Sequence, residues 1–229
     1  MGVVMSLFRA LTRSNRPYVK PELVENVHTH RYATTTATFF NIKVLNPLCD
    51  YLVDKLPMWL APNLITLFAF SLHIVSIVLL LVYFGTDTAG PLPGWFPVFF
   101  GVAYSVNNTL DNMDGKQARR TKSGSPLGML CDHGCDTASS IIIPIICTRI
   151  YQLGSGIPIM LIMVVATVPP YHLLMQEYYT GCLDMPALID PDNTSLQVSV
   201  VCFLTAFFGA DELWGFQIPL PYDYKLPLN

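Results

Sequence analysis

Apolar residues gather along this chain in blocks separated by short polar or proline-rich breaks. Leu64 to Phe84 is the clearest block, 21 residues without Lys, Arg, Asp or Glu. A helix rising 1.5 Å per residue needs about 20 such residues to cross a hydrocarbon layer. The block therefore predicts a first spanning helix, with Asn63 as its N-cap behind Pro62. Gly85 to Gly94 reads as a turn. Trp95 opens a second helix, with Pro97 tolerated in its first turn, expected to reach Arg119. A Ser, Gly and Pro loop over Thr121 to Pro126 leads to a third helix, about Leu127 to Arg149. There Thr137, Ser139 and Ser140 can bond back to the backbone, and Pro144 should kink the axis. A fourth runs from about Ile157 to Tyr178, and Pro169 and Pro170 are expected to break its ladder near the middle. Gly181 to Thr194 is polar, and a last apolar stretch covers Leu196 to Ala210.

Upstream, residues 1–57 are mixed and carry no signal-peptide pattern. Thr36 to Leu56 spaces its apolar residues loosely as a helix would, which predicts an amphipathic helix lying on a membrane surface. The pattern as a whole predicts an all-α integral membrane protein, a polytopic helical bundle. Its expected parts are an N-terminal segment at 1–57 with the surface helix, a membrane domain at 58–210 with about five helices, and a tail at 211–229.

Composition sharpens this. Hydrophobic residues make up 52% of the chain and charged residues 13%, with mean hydropathy +0.44, too few polar groups to cover a soluble domain. Net charge is only −3, and no basic patch suited to nucleic acid stands out. The distribution of charge matters more. Seven of the 13 Lys and Arg precede the first span and four lie between Lys116 and Lys122, whereas Gly85 to Gly94 has none. Those 11 point to a cytoplasmic amino terminus and put the junction of the second and third helices on the same side. The six Cys lack paired spacing, so no disulfide framework is expected.

The chemistry concentrates at that junction. Asp111-Asn-Met-Asp114-Gly115-Lys-Gln-Ala118-Arg119 is followed, after eight residues, by Gly128-Met-Leu-Cys-Asp132-His133-Gly-Cys-Asp136. At about 100° per residue, Asp111, Asp114, Gly115 and Ala118 share roughly a third of one helix circumference, and Gly128, Asp132 and Asp136 form a stripe on the other. Two facing acidic stripes suit a hard divalent cation, Mg²⁺ or Mn²⁺, or a pair of them. Gly115, Ala118 and Gly128 keep those faces free of bulk, so that helices or a nucleotide can approach the backbone. Alternatives are that the Asp cap helix ends or pair with Lys116, Arg119, Arg120 and Lys122, or that they serve ion translocation. Cys131, His133 and Cys135 invite a zinc reading, but a fourth soft ligand is not apparent. His133, about 60° around the helix from Asp136, flanks the acidic face as a candidate general base, with Asp136 as its rival.

At every fixed position these two blocks resemble the CDP-alcohol phosphotransferase signature. The longer string from Asp111 to Asp136, with His30-Arg31-Tyr32 and Trp59-Leu-Ala-Pro-Asn63-Leu-Ile-Thr66, is similar to the choline and ethanolamine phosphotransferase branch. The resemblance implies transfer of phosphocholine or phosphoethanolamine from CDP-choline or CDP-ethanolamine to diacylglycerol at a membrane, in the endoplasmic reticulum or Golgi. It also implies that Asp111, Asp114, Asp132 and Asp136 hold the metal, and that Asn63 helps hold the nucleotide beside Gly115, Ala118, Arg119 and Gly128. Acceptors such as inositol, a chain that keeps the signature without activity, and a homodimer stay open. Members of the branch carry an acidic residue in the loop after the fourth helix, where Asp190-Pro-Asp192 stands, and no role is carried onto it. They also have six or more spanning helices, against five candidates here. One wall is therefore expected to lie open, leaving Gly101, Ser139 and Ser140 against lipid or nothing, and the chain alone is expected to be inactive or weakly active unless a partner subunit covers that wall.

Overall fold

The computed structural model describes residues 38–154, 156–180 and 190–215. All of them fall within one compact unit, Ala33–Asn229. His30-Arg31-Tyr32, most of the amino-terminal segment and the tail beyond 215 lie outside the described residues.

Among the described residues every regular element is helical. A π-helical turn, Asn41–Leu45, runs directly into α1 (Asn46–Lys55). Then follow α2 (Pro62–Phe84), α3 (Trp95–Thr121), α4 (Pro126–Ile150), α5 (Ile157–Thr180), α6 (Pro191–Phe208) and the short α7 (Ala210–Trp214). Helices α2 and α5 are long and apolar enough to cross a membrane by themselves. The chain is an all-α membrane protein with a surface helix ahead of its bundle.

Helix α3 is the hub, packed against α1, α2 and α6, while α4 bridges α2 and α5. Phe96 and Phe100 of α3, Leu80 of α2, Ile146, Cys147 and Ile150 of α4, and Cys202 of α6 form the main core. A second cluster joins Leu45, Cys49 and Val53 of the surface helix to Met113 of α3. Phe39, Ile42, Leu48 and Tyr51 remain exposed. The outward side of the surface helix thus mixes these apolar residues with exposed Lys43, Asp50, Asp54 and Lys55, the amphipathic surface that suits a membrane interface.

Three expectations need correction. Asn63 does not cap α2: Ala61 holds the extended N-cap position and Pro62 is the first helical residue, where a missing N–H costs nothing. Pro169 and Pro170 do not interrupt α5, which stays helical from Ile157 to Thr180. Helix α5 packs mainly on α4 and buries only Leu173; the missing N–H groups of the two prolines are absorbed within a helix that continues on both sides. Nor do Gly101 and Ser139 face lipid. Gly101 lies against α6, where an added Cβ would come within 3.1 Å of the Cys202 Cβ. The Ser199 hydroxyl donates to the Gly101 carbonyl at 3.0 Å and sits 2.8 Å from Ser105 Oγ. Ser139 is buried and meets His73 of α2 at 2.9 Å.

Polar clamps tie the ends together. At the end of the bundle remote from the acidic blocks, the buried Arg149 guanidinium donates to Asp87 O and Pro91 O, both at 3.1 Å, and to Ala89 O. Gln152 adds a bond from Gly90 N at 2.7 Å and one to Gly90 O at 3.0 Å. At the other end, Arg120 of α3 donates to Val53 O at 2.8 Å and Leu56 O at 2.7 Å. Gln117, fully buried, holds Pro57 O and Leu60 O, and Lys116 pairs with Asp50 at 2.6 Å. The surface helix and its linker are therefore fastened to α3.

This docking makes a prediction. Cys49 is fully buried with its Sγ 3.5 Å from Thr109 O, and burial, partly offset by the Lys116 charge, pushes its thiol up to about 11. At pH 8 its thiolate fraction is then on the order of a hundredfold below that of a free cysteine. Maleimide labelling of the Cys49 peptide, followed by mass spectrometry, is expected to be correspondingly slow and to accelerate in Arg120→Ala.

Candidate functional site

The site forms where α3 ends and α4 begins. Helix α3 stops in a left-handed Lys122 (φ 55°), with Ser123 N donating to Ala118 O at 3.1 Å, the hydrogen-bonding pattern of a Schellman end. Ser125 then caps α4, its hydroxyl accepting from Gly128 N at 3.1 Å. This tight reversal sets the acidic stretches of the two helices side by side.

Three carboxylates converge there. One oxygen from each of Asp111, Asp114 and Asp132 lies within 4.8 Å of the other two. Asp114 is buried and accepts a hydrogen bond from the Thr66 hydroxyl of α2. Asp132 Oδ1 is buried and meets no donor among the described residues. An oxygen taken out of water without a partner costs about 1–3 kcal/mol. Three hard oxygens around one point, one of them lacking a donor, fit Mg²⁺ or Mn²⁺ far better than a soft metal. Nothing resembling a zinc set with Cys131 and Cys135 appears among the described residues; both are free thiols.

The remaining sequence candidates surround this centre unevenly. Asp136 stands one turn along α4, is exposed, and is outside the group of three. His133 is half-buried beside Asp132. Asn63 reaches the first turn of α4, where its Oδ1 would be 3.3 Å from a Cβ placed on Gly128; that glycine admits the side chain. Gly115 faces Arg119, whose Nη1 would lie 3.5 Å from an added Cβ. Arg119 is exposed, whereas Ala118 is half-buried. Lys116, held by Asp50, is not the freer of the two cations.

Sequence reasoning assigned no role to Thr66, Gln117 or Asp192, all buried. Thr66 stood in the quoted Asn63-Leu-Ile-Thr66 string, one turn into α2. For Asp192 the available signal was Asp190-Pro191, an N-cap residue before a first-turn proline. Asp190 does cap α6, accepting from Asp192 N at 3.2 Å.

With this geometry in place, known proteins can be compared. Residues 59–215 match the family model described as CDP-alcohol phosphatidyltransferase. Ethanolaminephosphotransferase 1 of Pongo abelii is 34% identical over 207 residues, 86% of this chain and 51% of that protein. Cholinephosphotransferase 1 of Xenopus laevis is 37% identical over 172 residues, 74% of this chain and 42% of the relative. Choline/ethanolaminephosphotransferase 1 of Arabidopsis thaliana is 31% identical over 205 residues, 88% and 51% respectively. The chain thus spans about half the length of the relatives it matches.

Crowded carboxylates imply a trade between stability and binding. Asp132→Asn removes one negative charge from the cluster and is expected to stabilise the metal-free protein by about 1 kcal/mol, or a few degrees in Tm. Melting with and without Mn²⁺ checks this, and the rise on adding Mn²⁺ should shrink in the variant.

Proposed function

Since the chain belongs to the CDP-alcohol phosphatidyltransferase family, we propose that it transfers phosphocholine or phosphoethanolamine from a CDP-alcohol to diacylglycerol, giving a phospholipid and CMP. The observation that carries this reading is the convergence of Asp111, Asp114 and Asp132 within 4.8 Å, beside the tight reversal that joins α3 to α4. Asp111, Asp114 and Asp132 hold the divalent cation, with Asp136 at the edge of the site. When bound, Mg²⁺ supplies positive charge against the charge that develops on the departing phosphate.

The chain's own residues do the rest. Asn63 and Gly128 cradle the cytidine side of the donor, Gly115 and Ala118 leave room for the diphosphate, and exposed Arg119 pairs with it. The hydroxyl oxygen of diacylglycerol forms a bond to the phosphorus that bears the alcohol. The bond from that phosphorus to the CMP oxygen breaks, and CMP leaves with the electron pair. His133 takes the hydroxyl proton, with Asp136 as the alternative acceptor. The acidic blocks open to the cytoplasm, where nucleotide is available, in a membrane of the endoplasmic reticulum or Golgi.

Protein in nanodiscs containing diacylglycerol, supplied with radiolabelled CDP-choline or CDP-ethanolamine and Mg²⁺, should make labelled phospholipid and stop when EDTA is added. Asp114→Asn and Asp132→Asn are each expected to abolish transfer. His133→Ala should depress kcat far more than nucleotide affinity if it is the base; an equal loss of both assigns it to orienting a ligand. Product formation that survives EDTA would sink the metal reading.

A further inference from the structure

Asp192 sits in the first turn of α6, 5% exposed. Its Oδ1 accepts from Asn108 Nδ2 at 2.9 Å and from Asn112 Nδ2 at 2.8 Å, and its Oδ2 accepts from Asn41 Nδ2. A carboxylate can only accept, so each asparagine must present its nitrogen and the orientation of all three amides is fixed. Asn112 uses its Nδ2 again on Asn108 O at 3.0 Å, and Asn41 accepts from Asn46. One buried carboxylate therefore joins three elements: the surface helix, α3 and α6.

Its grip on α3 falls at a particular place. Asn108 lies three residues before Asp111 and Asn112 immediately after it. At about 100° per residue these asparagines lie roughly 60° and 100° to one side of Asp111, and Asp114 lies about 60° to the other. The helix is thus held on one flank by Asp192 and on the other by the bond from Thr66 to Asp114, with Asp111 between. Carboxylates that repel one another at the end of a helix stay put only if that helix cannot rotate away.

We infer that Asp192 is a positioning residue for the carboxylate cluster, acting through Asn108 and Asn112 to fix the rotation of α3 that keeps Asp111 within reach of Asp114 and Asp132. This rests on the reading of those three residues as metal ligands. It touches neither substrate nor metal. Its third bond, to Asn41, seats the surface helix and does not bear on the cluster.

The test uses the full chain in lipid nanodiscs and Mn²⁺ alone as the probe, its binding followed by loss of the free-ion EPR signal well below each variant's melting temperature. Asp192→Asn and Asn112→Ala are each expected to weaken Mn²⁺ binding about tenfold, as removal of an outer-shell partner does, and Asn41→Ala to leave it nearly unchanged. A role confined to stability would lower Tm in all three and leave the affinity of the folded protein alone. Should Asp192→Asn fail to fold, Asn112→Ala decides, since it leaves Asp192 two donors. Wild type that binds Mn²⁺ with folded Asn112→Ala unchanged overturns this inference alone, whereas wild type that fails to bind overturns the metal reading with it.

Discussion

Mutual repulsion among Asp111, Asp114 and Asp132 is the constraint around which the rest of this bundle is arranged. Two ionised groups 4.8 Å apart repel by about 3 kcal/mol at an effective dielectric near 20. Left to itself, α3 would relieve this by sliding or turning. The structure resists with contacts on every side of that helix: Thr66 on Asp114, the backbone carbonyls of the 53–60 segment on Arg120 and Gln117, and the asparagines on Asp192. The stability lost at the cluster is recovered in its surroundings, a common arrangement where a site must stay charged and ready to bind.

The surface helix is fastened to α3 beside the site. Its buried face meets Met113, between two of the carboxylates, and its carbonyl end is held by the same basic stretch that follows them.

Most helices were legible in the sequence because hydrocarbon demands long charge-free runs, and Trp95 and Phe84 are where such a run begins and ends in the structure. The acidic stripes were legible because helical spacing alone puts Asp111 with Asp114. Other features were hidden for physical reasons. The start of α6 is polar, Pro191-Asp-Asn-Thr-Ser, so hydropathy rises only at Leu196 and the stretch reads as starting five residues late. Asn63 stood where a cap should stand, yet Pro62 took the first helical position and released Asn63 to face Gly128. The paired prolines read as a break, but losing two N–H donors left the helical path intact through Pro169 and Pro170. Asp192 drew no role because its partners lie 80, 84 and 151 residues away, a separation no local pattern reveals.

The clamp of Arg149 on the loop between α2 and α3 bears on how the molecule is made. Helices α2 and α3 leave the ribosome as a hairpin before residue 149 has been synthesised, so the carbonyls of Asp87, Ala89 and Pro91 must first be satisfied by water. Arg149 lies at the end of α4 away from the acidic blocks. In the orientation proposed above, with those blocks toward the cytoplasm, that charge is carried across the hydrocarbon as α4 inserts, against a translocon-scale cost of about 3 kcal/mol. The waiting ring of carbonyls is what receives that cation on arrival. In that orientation insertion runs in order: the hairpin goes in first and forms the receptor, and the arginine that follows locks α4 to it.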